Sequence, residues 1–190
     1  MRISRLLHKN RWALAIMFLG AILLIKASYI QAKAVISQLL IERAYNQQAA
    51  NNQAKKPWPW ADTHVSAKLT IKGKTDYVLA GASGRNLAFG PAHLSSSAIP
   101  GSVGNSVIAG HRDTHFAHLE HIESGEHIKL EKNGITIEYE VVETAIVNEF
   151  DAHILAPMDI PALTLITCYP FNDIRPNPKL RFVVRAIKIS

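Results

Sequence analysis

The chain has 190 residues, a formal net charge of +6, 48% hydrophobic residues and one cysteine. That length suits one ordinary domain with an appendage, and a lone cysteine excludes an internal disulfide framework. Seven Lys/Arg and one Glu precede residue 51, and 14 residues of each sign follow it. The basic charge therefore belongs to the N-terminal part, which sets aside a nucleic-acid binder, whose basic residues would lie on the folded domain.

Residues 1–11 carry Arg2, Arg5, Lys9 and Arg11, and Trp12 to Ile25 holds no charged residue. Fourteen uncharged residues fall short of the roughly 20 that a bilayer needs. Lys26, however, can snorkel its ammonium to the interface, and the apolar pattern resumes at Ala27 to Ile30. We read residues 12–30 as a transmembrane signal anchor. The positive-inside bias puts residues 1–11 in the cytoplasm and the remainder across the inner membrane. The rival is a cleaved signal peptide, with Ala32-Lys33-Ala34 as a loose small-x-small site. The anchor is preferred because the helical pattern runs through Ala44 without a breaker.

Residues 31–60 are expected to form a stalk helix and linker. Val35, Ile36, Leu39, Leu40 and Ala44 share one helical face. Asn46 to Lys56, rich in Gln, Asn and Ala, reads as linker, and Pro57-Trp58-Pro59-Trp60 as an extended segment whose indoles cover one end of a domain or meet the lipid interface.

Residues 61–190 read as short strands separated by Gly, Pro, Asn and Ser. Candidates are Val65 to Ile71, Tyr77 to Ala80, Ser106 to Ala109, Ile128 to Leu130, Ile135 to Val147, Leu163 to Cys168 and Leu180 to Ile189. Ile135 to Val141 alternates as a half-buried strand should. Lys72-Gly73-Lys74 and Lys132-Asn133-Gly134 are hairpin signals. Many short strands without alternating helices predict an all-β fold, a closed barrel with short helices.

Three strand ends bear candidates for chemistry. Cys168 ends Leu163-Thr164-Leu165-Ile166-Thr167-Cys168, His111 follows Ser106-Val107-Ile108-Ala109-Gly110, and Arg181 opens Arg181-Phe182-Val183-Val184. A thiol of ordinary pKa, about 8.5, is only a few per cent ionised at neutral pH, so a nucleophilic cysteine needs a partner. A histidine can stabilise the thiolate and then protonate a departing amine. An arginine presents fixed donors to a developing oxyanion. Arg185 shares the strand face of Arg181 by alternation, and Arg175 is a weaker alternative. Each residue also has a plain structural reading, a packed thiol or a strand-end histidine, and it is their co-occurrence that favours chemistry.

TLITC, the strand followed by GHRDTHF, and RFVVRA resemble the cysteine, histidine and arginine motifs of sortases, membrane-anchored cysteine transpeptidases. The resemblance runs from about Leu69 to the C-terminus, through Leu87-Ala88-Phe89-Gly90-Pro91 and Pro100-Gly101-Ser102-Val103-Gly104-Asn105. Cys168-Tyr169-Pro170-Phe171 together with GHRDTHF looks most like the Gram-negative class GN. The resemblance implies a sortase-like barrel and a transpeptidase that cleaves an LPXTG-like signal near the C-terminus of a secreted protein. Cys168 would form a thioester, His111 act as acid and then base, Arg181 stabilise the oxyanion, and an amine acceptor resolve the thioester. Thr167, Phe89 and Arg112 are the expected substrate-contacting residues. Packing is the alternative for Thr167 and Phe89, and a positioning or salt-bridge role for Arg112. Ala88 to Pro91 and the loop Ala145 to Ala162 would line the groove. This chemistry requires no metal or organic cofactor, and no acidic cluster predicts calcium.

Two rival readings remain. His111, His115, His118 and His121 would align for zinc on a helix, but the strand before Gly110 and the missing carboxylate of an HExxH pattern argue against it. His118 and His121 are read instead as the exposed face of a short helix that sends Phe116, Leu119 and Ile122 inward. An L,D-transpeptidase would carry an SxGC-type motif, where this chain has Leu165-Ile166-Thr167 before the cysteine.

Overall fold

The computed structural model describes residues 3–51, 53–173, 175 and 178–189. The chain divides into two compact units, Met1–Leu39 and Leu40–Ser190. Helix α1, Ile3–Asn51, begins in the first. Its stretch after Arg11 is long and apolar enough to cross a membrane. Trp12, Ile16, Met17, Phe18, Leu24 and Ile25 are all exposed there, as a lipid-facing surface requires. The helix continues to Asn51, so the first part of the stretch expected as linker is helical. Gln and Ala are good helix formers, and no proline intervenes before Pro57.

The second unit is a closed barrel of eight strands: β1 Val65–Ile71, β2 Lys74–Ala80, β3 Ala92–His93, β4 Gly104–Ala109, β5 His127–Lys132, β6 Ile135–Asn148, β7 Pro161–Tyr169 and β8 Leu180–Lys188. Their order around the barrel is β1-β2-β3-β4-β7-β8-β6-β5. The all-β expectation holds. Two tight turns set the hairpin registers: Lys72 and Gly73 have φ of 49° and 78°, and Asn133 and Gly134 have 50° and 78°. Positive φ at both central residues is the turn whose twist matches paired strands, hence Ile71↔Lys74 and Lys132↔Ile135. The two-residue β3 was not legible in sequence because a strand that short has no period.

Inward side chains of alternate strand residues form the core. Leu69, Ile108, Leu130, Tyr139, Leu163, Leu165 and Val184 are all within 1% of full burial. After β4 a short 3-10 turn, Ala117–His121, carries Phe116, Leu119 and Ile122 into this core. A second cluster gathers Ile41, Ala44 and Tyr45 of α1 with Val65, Leu79 and Ala92, flanked by Trp58 and Phe89. Trp58 meets Phe89 edge-on at 5.0 Å, while Trp60 is 81% exposed. Short helix α2, Gly84–Leu87, precedes Phe89 and is capped by the Ser83 hydroxyl.

The fold lowers the pKa of two histidines. Burial pushes His118 below its ordinary 6.5, with Lys74 adding to the effect and Asp76 opposing it; burial also lowers His93. A base of this kind binds more protons unfolded than folded. Its contribution is complete above about pH 6.5 and declines as pH falls below that value. Melting temperature should therefore drop between about pH 7.5 and about pH 5.5, and less so in His118→Leu. An equal drop in that variant would show that His118 is not a source of the acid sensitivity.

Candidate active site

Strand β7 lies between β4, which runs parallel to it, and β8, which runs antiparallel. This arrangement collects the three strand ends. Cys168 on β7 is the register partner of Arg181 on β8. Ala109 pairs with Ile166, and the Gly110 N–H donates to the Ile166 carbonyl at 3.0 Å. His111 thus leaves β4 at the level of Cys168, one residue before the end of β7. Alternation turns Leu163, Leu165 and Thr167 inward and Cys168, Ile166 and Thr164 outward. The thiol is half-buried and His111 exposed, so both side chains can be reached from solvent.

Gly110 is required by sterics. A Cβ built there would sit 2.7 Å from the ring of Phe116, which is fully buried. The His111 carbonyl accepts from the Phe116 N–H at 3.0 Å, so the histidine heads a tight turn clamped onto the core. Thr167, 2% exposed, donates its hydroxyl to the Gly110 carbonyl at 2.8 Å. It ties the cysteine strand to the histidine strand, and its side chain faces away from the outer surface. Phe89 packs against Trp58 in the second cluster.

The arginines separate clearly. Arg181 donates to the Glu149 carboxylate at 2.9 Å, to the Leu180 carbonyl at 3.0 Å and to the Pro178 carbonyl. Arg185 is the register partner of Thr164 and pairs with Glu143 at 3.4 Å, roughly 13 Å down the strand from Arg181. Arg175 is exposed and bonded to Asp173, whose carboxyl it holds below the ordinary range. Arg112 is 6% exposed, with its guanidinium turned onto the backbone carbonyls of Pro170, Asp173 and Arg175, so that its donors face protein. Glu149 had no signal in the sequence, because its approach to Arg181 depends on the pairing of Val147 with Arg181 across β6 and β8.

The β6–β7 connection is fastened to the outer face beside the site. Buried Asn105 donates both amide hydrogens, to the Ile154 carbonyl at 2.9 Å and the Ala156 carbonyl at 3.2 Å, and accepts the Thr164 hydroxyl at 2.7 Å. Between this connection and the strands lies an open groove of about 480 Å³, solvent included, lined by Glu143, Val147, Asp151, His153, Val183 and Arg185.

The histidine cluster disperses. His115 bonds the buried Asp76 carboxylate at 2.8 Å, and His121 is exposed. His118 differs from the exposed position expected, since both ring nitrogens are buried and without hydrogen-bond partners. Among the described residues, no three His, Cys, Asp or Glu side chains converge as metal ligands.

Gly110→Ala should force the Phe116 ring or the His111 turn to move. A loss of about 1–3 kcal/mol, as overpacking typically costs, is expected in denaturant titration. An unchanged midpoint would show that the turn accommodates a methyl group.

Three comparisons bear on this arrangement. The family model described as the sortase domain matches residues 70–189. Sortase D of Bacillus subtilis is 31% identical over 127 residues, 66% of this chain and 60% of that protein, so the match spans less than two thirds of that relative. Among solved structures, the Sortase D5 transpeptidase of Clostridium perfringens superposes with TM-score 0.67 at 22% identity, covering 82% of this chain and 99% of that one. Sortase A of Corynebacterium diphtheriae gives 0.62 at 27% identity, covering 81% and 84%. With a domain match over most of the chain and a barrel that brings its three motifs to one end, this chain belongs to the sortase family, the cysteine transpeptidases.

Proposed function

We propose that the chain is a membrane-anchored transpeptidase acting on an LPXTG-like sorting signal of a secreted protein. The observation that supports this most directly is the register pairing of Cys168 with Arg181, with His111 at the same level one strand away. The Cys168 sulfur attacks the carbonyl carbon of the signal threonine, and Arg181 stabilises the resulting oxyanion. His111 gives its proton to the departing amine as the C–N bond breaks, leaving a thioester. An amine acceptor then attacks, His111 takes its proton, and the thiolate departs.

In this reading α1 anchors the enzyme once in the inner membrane, with the barrel on the extracytoplasmic side. Its apolar exposed stretch and the basic residues before it support that orientation. Within the family we place the chain in class GN. That placement rests on GHRDTHF and CYPF alone, whereas the relatives named above are sortases A and D.

Kinetics on a sorting-signal peptide with the full-length protein in detergent test the assignment. Cys168→Ala should abolish cleavage with the fold intact, and retention of even about a tenth of the rate would sink the nucleophile. Arg181→Ala should lower kcat by roughly 10²-fold, as loss of one oxyanion donor does. Arg185→Ala should cost much less, and a larger loss there would move the oxyanion role to Arg185.

A further inference from the structure

We propose that Arg112 is a positioning residue that fixes His111 against Cys168 by bridging the two segments just beyond them. The proposal rests on the reading of His111 and Cys168 as acid–base and nucleophile.

Strands β4 and β7 are held by their ladder only as far as the bond from Gly110 N–H to the Ile166 carbonyl. The Thr167 hydroxyl on the Gly110 carbonyl extends that hold by one residue. His111 and Cys168 lie at or past this limit. The next tie is Arg112. Its Nη1 donates to the Pro170 carbonyl at 2.7 Å, and its Nη2 donates to the carbonyls of Arg175, at 3.3 Å, and Asp173. Its Nε faces the Asp113 carboxylate at 3.4 Å. One planar group, anchored one residue after His111, thus holds backbone beginning two residues after Cys168. A second link, from Asn172 to the Glu120 carboxylate at 3.1 and 3.2 Å, is exposed.

The chemistry favours arginine here. Three carbonyls converge on a buried site, and a guanidinium presents several donors in a fixed plane, whereas an ammonium offers a point charge on a flexible stem. At 6% exposure the positive charge is desolvated, so it depends on those carbonyl dipoles and Asp113, and they in turn depend on it. Breaking the bridge frees the His111 turn and the segment after Cys168 together. A displacement of about 1 Å between reacting groups can cost about 10²-fold in rate. Arg112 does not line the groove beside the β6–β7 connection, so the loss should fall on kcat.

The test compares Arg112→Gln and Arg112→Lys with Glu120→Gln, a control for the exposed link, in full-length protein. On a sorting-signal peptide, Arg112→Gln should lose about 10- to 100-fold in kcat with KM within about twofold, and Glu120→Gln should lose less than about twofold. A second readout needs no substrate. Iodoacetamide alkylation of Cys168 at neutral pH should be slowed by His111→Ala in the parent, and that slowing should largely vanish in Arg112→Gln, a coupling that general destabilisation does not produce. Arg112→Lys should show the same two effects. Folded variants with parental kcat, or with the His111 effect on alkylation intact, overturn the proposal. So does failure of both Arg112 variants to fold, which would make the residue a folding determinant only. If His111→Ala does not slow alkylation in the parent, the acid–base assignment of His111 fails instead.

Discussion

The site depends on one constraint, the position of β7 between a parallel and an antiparallel neighbour. A parallel pair brings two C-terminal strand ends together, and an antiparallel pair brings a C-terminal end to an N-terminal one. With β4 on one side and β8 on the other, the end of β7 meets the exit of β4 and the entry of β8. Three residues separated by 57 and 13 positions in sequence therefore share one edge of the barrel without any long loop to carry them. The ladder supplies rigidity, since each backbone group in it is satisfied by a neighbour, and the groups at its end inherit that order.

Sequence reasoning succeeded where the physical signal is local. Alternation in Ile135 to Val141 reappears as alternating burial along β6, and the Lys-Asn-Gly turn adopts the positive φ values that its residues favour. The positions of Cys168, His111 and Arg181 at neighbouring strand ends were legible. The directions of side chains at those ends were not. Arg112 follows an exposed histidine and precedes an exposed aspartate, so its burial has no periodic signature; it is set by where the chain after Cys168 returns. Glu149 is illegible for the same reason, being defined by cross-strand register. The helical continuation of α1 to Asn51 has a different cause: a polar composition suggests linker, but helix propensity and the absence of Gly or Pro carry the helix on.

Polar groups around the site are arranged to hold backbone more than to wait for a ligand. Asn105 and Thr164 spend their hydrogen bonds on each other and on the β6–β7 connection, Thr167 on Gly110, and Arg112 on the β7–β8 segment. Each satisfies a carbonyl or amide that a strand ladder would otherwise have served, and the buried ones are costly to remove because their partners would be stranded. The effect is to fasten both connections that flank Cys168 to the barrel at points within a few residues of Cys168 and His111.

Arg181 contrasts with these. It is partly exposed and bound to Glu149 by an ion pair that solvent screens, so that pair contributes modestly to stability. The Glu149 carboxylate fixes one side of the guanidinium, on a residue that the strand register sets opposite Cys168. A negative partner also draws on the same positive charge that an oxyanion would use. The two demands are compatible because a guanidinium carries five N–H donors, and those given to Glu149, Pro178 and Leu180 do not exhaust it. Replacement by lysine would surrender that division, since a single ammonium cannot hold Glu149 in one direction and present a fixed donor in another.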